Sequence, residues 1–313
     1  MAYFLQAQQE LLRRPQALPT LKSQQWSKIN PHFRQVLCNR SHTFYHLGNN
    51  KQVQCQGASE LDLQAAVHQA LVPRPKSMWL LCMDERIQYF GGSHRALSFG
   101  LPGCECLLSS NQKNLLSNKL LEITTEFPSI EEIIVTSHSS CGAVNKAIHS
   151  EKNVVLKKVR GALAKTHHYC DHVAKHYASE FARKLTGKAK EQELDLTIRT
   201  FHLDVEQLHC PNFHHAVGAV VNYIPNLNVA ELSEALDLPL FNIYAGAQNQ
   251  SLVLENIRLA VQIAQNNHGL GEFFSEENPF TLIFTGESLD IENILKQLRK
   301  EEFAIPVAFT RVT

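Results

Sequence analysis

A chain of 313 residues, 44% hydrophobic and 19% charged, has material for one large domain or two, each with a buried core. Thirty basic side chains balance thirty acidic ones, which excludes a nucleic-acid-coating protein and a polybasic membrane binder and leaves no excess charge to favour disorder. No apolar run approaches the roughly 18 residues of a membrane span. Eight cysteines are too sparse for a disulfide scaffold, and the opening MAYFLQAQQELLRRPQ carries its Arg pair too late for a secretory signal. A reducing, cytoplasmic setting is expected.

Residues 1–74 read as an N-terminal helical arm. Tyr3 to Leu12 is amphipathic, Pro15 and Pro19 break it, and SELDLQAAVHQAL restarts a helix behind a Ser59 cap, with packing or oligomerisation as the expected role. Pro73 and Pro75 mark a boundary. Residues 75–207 then read as an α/β unit. Met78–Met83 (MWLLCM) is a short buried strand and Leu97–Leu101 another. Leu116, Leu120, Ile123 and Phe127 line one face of a helix, Ile133–Thr136 is β-branched and predicts a central parallel strand, and a helix starts at Gly142. Helical sequence runs to Leu185, and Thr197–Leu203 returns to strand.

Residues 208–313 read as a second α/β half. Val217–Tyr223, Leu240–Tyr244, Thr281–Thr285 and Pro306–Val312 are strands, and Val253, Ile257, Ala260 and Ala264 repeat the helical spacing. The fold class expected is α/β, a central, mostly parallel sheet flanked by helices. Two organisations stay open: an internal duplication, with Gly103 answering to Gly246, or one continuous sheet.

Two segments carry the chemistry. Cys82-Met83-Asp84-Glu85-Arg86 closes the first strand, and His138-Ser139-Ser140-Cys141-Gly142 closes the strand Ile133–Thr136, its His 56 residues beyond Cys82. Strand ends are where open α/β sheets place ligands. Cys82, His138 and Cys141 make two thiolates and one imidazole, a donor set that suits Zn²⁺ and leaves a fourth position for catalysis. Cys82, Asp84 and Arg86 alternate along an extended segment and so share a face. Arg86 can hold the Asp84 carboxylate by charged hydrogen bonds and keep it ionised as a proton acceptor.

These two blocks, in this order and at strand ends, resemble the β-class carbonic anhydrases, over about Ser77 to Ile148. The resemblance implies a zinc cofactor on Cys82, His138 and Cys141, and a gating dyad of Asp84 and Arg86. It also implies reversible hydration of CO₂ to bicarbonate and a proton by a zinc-bound hydroxide. Partners would be a small-molecule substrate and further copies of the chain as a homo-oligomer, with no nucleic acid and no membrane. His94-Arg95-Ala96-Leu97-Ser98 stands where the family has an Arg-Asn-Ala-Gly-Asn run, and Ser137 stands where Gly is usual. In a duplicated chain the second half would have lost its metal, with Asn222 near the place of Cys82 and Gly286 near that of His138. Phe241 and Tyr244 would then be apolar walls.

The alternatives keep the zinc and change the substrate to carbonyl sulfide or carbon disulfide, or leave a non-catalytic zinc protein with a binding or regulatory role. The stripe His168, His172 and His176 reads as solvated, His209, Cys210, His214 and His215 as surface or pocket lining, and Cys104 and Cys106 as free thiols.

Overall fold

The computed structural model describes residues 43–47, 52–54, 60–83, 95–103, 105, 108–144, 169–204, 216–236, 238, 240–268, 274–276 and 278–312. The chain divides into a middle unit, Val72–His209, and a flanking unit, Met1–Leu71 with Cys210–Thr313.

In the middle unit, β3 (Ser77–Cys82), β4 (Ala96–Leu101), β5 (Glu132–His138) and β6 (Thr197–Leu203) form one sheet in the order β4-β3-β5-β6, every pair parallel. Every residue of β3 and β4 is buried, which is why both read as short apolar runs without alternation. Helix α2 (Ser110–Glu126) connects β4 to β5. It opens on a capping box: the Ser109 hydroxyl accepts from Gln112 N–H, and the Gln112 side chain accepts from Ser109 N–H. Leu116, Leu120 and Ile123 are buried along one stripe, and Phe127 N–H bonds Ile123 O to end the helix. Helix α3 (Tyr169–Glu191) packs on β5 and β6, and its Val173, Ala174, Ala178, Phe181 and Leu185 are buried.

The chain enters this sheet at β3, pairs β4 on one side, then crosses to place β5 on the other. The connections therefore leave in opposite directions at the carboxyl ends of β3 and β5, which is where a doubly wound sheet opens its crevice.

The flanking unit holds β1 (Thr43–His46), β2 (Gln52–Gln54), β7 (Gly218–Asn222), β8 (Leu240–Tyr244), β9 (Phe280–Thr285) and β10 (Val307–Val312), in the order β2-β1-β10-β9-β7-β8. Strands β8, β7, β9 and β10 are parallel, and β1 and β2 are antiparallel additions at the β10 edge. Helices α1 (Glu60–Gln69), α4 (Val229–Leu236), α5 (Gln250–His268) and α6 (Asp290–Leu298) complete it. α1 packs against α4, and Asn228 N–H bonds Ala70 O at 2.9 Å. The segment 1–74, read as a helical arm, thus includes two strands as well as α1; Tyr3 to Leu12 lies outside the described residues. Helices α4 and α6 and strands β1 and β2 were absent from the sequence reading. Among the described residues no helix is long and apolar enough to cross a membrane.

Two sheets replace the single continuous one, and their parallel strands follow the same order: first strand, second on one side, third and fourth on the other. The ladders set the correspondence. His138 pairs Leu203 where Thr285 pairs Val312. The β3–β5 register, carried on from Leu80↔Val135, sets Met83 beside His138 where Asn222 sits beside Thr285. Val221 therefore takes the place of Cys82, and Thr285 that of His138. The sequence pairing, Asn222 with Cys82 and Gly286 with His138, is one residue off in each strand, and a one-residue slip turns a side chain to the opposite face.

Candidate metal centre

Cys82 is the last residue of β3 and His138 the last of β5, so the switch point brings them together. The chain turns sharply after β5, with Ser140 at φ 53°, and returns Cys141 to the strand ends before the helical Gly142–Val144. Ser140 N–H donates to Asp171 Oδ1 of α3 at 3.3 Å, which ties that turn to the helix behind it. The Sγ atoms of Cys82 and Cys141 and a ring nitrogen of His138 lie within 4.8 Å of one another, all three residues buried. Among the described residues this is the one cluster of three or more such groups able to hold a metal ion.

The donor atoms fit zinc. The two sulfurs are 3.9 Å apart, far from a disulfide. Two Zn–S bonds of about 2.3 Å at a tetrahedral angle would hold them about 3.8 Å apart. His138 Nδ1–H donates to Ser139 O at 2.8 Å, which fixes the tautomer and leaves the Nε2 lone pair for coordination. Gly103 N–H donates to Cys82 Sγ at 3.2 Å, a contact that favours the thiolate. Gly103 itself has φ +61°, a left-handed turn that glycine adopts without steric penalty.

A tight recess adjoins the donors, lined by Gly103, Glu105, Thr136, Ser137, His138, Cys141, Val144 and Ala174. Two pairs of side chains brace its rim from β6 and the residue after it. Ser137 Oγ and His202 Nδ1 share a 2.8 Å hydrogen bond, and Ser139 Oγ donates to Asp204 Oδ1 at 3.1 Å. Burial first, then the Lys175 charge, lowers the His202 pKa to about 4, against smaller opposing pulls from Asp171 and Asp204. The imidazole is held neutral.

Glu105 is the group that the sequence reading missed. It sits between two cysteines in a loop, a setting that reads as solvated. It is fully buried, and among the described residues neither carboxyl oxygen has a hydrogen-bond partner. Desolvation pushes its carboxyl up to about 7, with its own backbone amide and Lys113 pulling down and Cys82 adding to the rise.

The other sequence candidates fall elsewhere. Asp84 and Arg86 lie outside the described residues, as do His94, Cys104, Cys106, His168, His209, Cys210, His214 and His215. His172 and His176 are exposed on α3, as expected of a solvated stripe. Phe241 and Tyr244 are buried on β8 of the flanking unit. In that unit the positions matching the ligands hold Val221 and Thr285, and the polar group at the strand ends is Asn222. Its Oδ1 accepts from Ile224 N–H at 2.8 Å and from Thr285 Oγ1 at 2.9 Å.

No protein-family model and no curated protein matches the chain. Among solved structures, the chain is similar to the β-carbonic anhydrase CafA of the fungal pathogen Aspergillus fumigatus, at 16% identity and TM-score 0.35, over 43% of this chain and 73% of that one. It is also similar to a tetrameric β-carbonic anhydrase of the filamentous ascomycete Sordaria macrospora, at 14% identity and TM-score 0.33, over 47% of this chain and 83% of that one.

Proposed function

We propose that the chain is a zinc-dependent carbonic anhydrase that interconverts CO₂ and bicarbonate, with Cys82, His138 and Cys141 as the metal ligands. The observation that carries this is the convergence of those three donor atoms, from two motif blocks, at the switch point of a parallel sheet. When bound, zinc supplies a Lewis acid that brings the pKa of water from 15.7 towards about 7.

The chain's own residues do the rest. Cys82 and Cys141 donate as thiolates, and Gly103 N–H steadies the first of them. The Ser139 carbonyl orients His138. Val144 and Ala174 give the recess an apolar side, the kind of lining that suits an uncharged substrate such as CO₂. Asp84 accepts the proton that hydration releases. In this reading Arg86, always protonated, would compete with the metal for the Asp84 carboxylate.

The test is stopped-flow CO₂ hydration by zinc-loaded protein. Turnover above buffer is expected, and its absence with one zinc bound per chain overturns the reading. Sulfide release from carbonyl sulfide, with no CO₂ hydration, would instead move the substrate to a CO₂ analogue. Homo-oligomerisation is part of the same reading and is measured by light scattering on the eluting protein.

A further inference from the structure

We infer that Glu105 belongs to the metal site, its carboxylate facing the fourth coordination position and accepting a hydrogen bond from the non-protein group held there. The inference rests on the metal part of the proposed function and not on CO₂ as the substrate.

Placement is the first argument. The loop that carries Glu105 is tied to the ligands two residues earlier, where Gly103 N–H bonds Cys82 Sγ. Three residues later it is closed by Leu108 N–H donating to Glu105 O at 3.1 Å, just before the Ser109 cap of α2. The backbone is thus held on both sides, and the side chain lines the same recess as His138 and Cys141. The second argument is what the carboxyl lacks. A fully buried acid whose two oxygens find no partner among the described residues is destabilising, and glutamine or leucine would fill that space at lower cost. Such a group is retained where something else supplies its partner. Three donors that leave one coordination position open provide that something within the same recess.

Glu105 stands outside the three-atom donor cluster, which points to contact with the occupant of the fourth position rather than to direct ligation. A carboxylate there favours an occupant that carries an O–H, such as water or bicarbonate. It disfavours an anion that has no proton to donate.

The experiment uses the full chain loaded with Co²⁺ and titrated with azide at pH 8.5, followed by the visible cobalt bands. Glu105→Gln is expected to keep one cobalt per chain and to bind azide about tenfold or more tighter, the scale on which one nearby charge acts at an effective dielectric near 20. Unchanged azide affinity overturns the inference. Loss of cobalt from the variant also overturns it, because Glu105 would then be a ligand. Should Glu105→Gln fail to fold, a crystal structure of the cobalt-loaded wild type decides. A carboxyl within hydrogen-bond distance of the non-protein group on the metal supports the assignment, and a carboxyl paired to another protein group defeats it. An azide shift with no CO₂ hydration leaves Glu105 in place and overturns the carbonic anhydrase reading alone.

Discussion

Cys141 is the ligand whose role is easiest to isolate, because it reaches the site only through the tight turn at Ser140. Wild-type protein is expected to hold one zinc per chain by elemental analysis. Cys141→Ser should weaken binding by more than the ~10–100-fold that loss of an outer-shell partner costs. Asp84 and Arg86 call for kinetics. Arg86→Ala should keep zinc and lose turnover, Asp84→Ala should lose the proton acceptor, and each is expected to fall by about 10²–10⁴-fold in stopped-flow assays. Full turnover in Arg86→Ala would reduce the pair to a structural contact.

Glu105 also makes a prediction about stability. Its folded-state pKa, about 7, lies above the ordinary carboxyl value of 4.5, so its contribution is fully present below 4.5 and is lost as pH rises through 7. His202 acts in the opposite sense: its pKa is lowered from 6.5 to about 4, and its contribution is lost as pH falls through that window. The two partly cancel in the raw curve. The difference between Glu105→Gln and wild type, both metal-free, isolates Glu105. It should grow in favour of the variant by about 3 kcal/mol from pH 4.5 to 8 in urea titrations. A flat difference would mean the carboxyl is solvated.

Elements were legible where one local rule sufficed. The runs SMWLLC, EIIVTSH and FTLIFT are apolar or β-branched and bury nearly every residue, so their strands could be read without knowing their neighbours. Strands β1 and β2 could not, because TFYH and QVQ are short and gain their place from β10, far away in sequence. The ladder register was out of reach for the same reason: pairing is a tertiary fact. α2 shows how the legible pattern converts to energy. Leu120 lies on its buried stripe, whereas Leu115 is 55% exposed. Leu120→Ala should cost about 2–5 kcal/mol. Leu115→Ala should stay within about 0.5 kcal/mol in the same denaturation assay.

At the scale of the whole molecule, two sheets share one strand order, and among the described residues one of them gathers the metal donors. We read the flanking unit as a degenerate copy of the middle one, with Val221 and Thr285 where a duplicated site would hold Cys and His. The two-block motif made the site legible, while the folding together of residues 1–71 with residues 210–313 was not, because Val72–His209 is inserted between those segments. A local consequence is measurable. Ligand binding stabilises only the structure that carries the site. Removing zinc with a chelator should raise amide exchange in β3 and β5 and leave β7 and β9 unchanged. Equal loosening of both sheets would deny the units their independence.

Strands β6 and β10 hold matching places in the two sheets, yet they end differently. β6 is the outermost strand of its sheet among the described residues. Thr197, Arg199 and Thr200 are exposed there, and Arg199 pairs with Glu132 on β5. Charge at such a margin discourages another chain from adding itself to the ladder. β10 is apolar and largely buried, and its outer backbone is occupied by β1, with Tyr45 opposite Phe309. Strands β1 and β2 therefore act as a seal against strand addition at that edge. Tyr45→Pro, which removes a backbone donor from that seal, should leave zinc binding in place while raising light scattering as copies add to one another through β10.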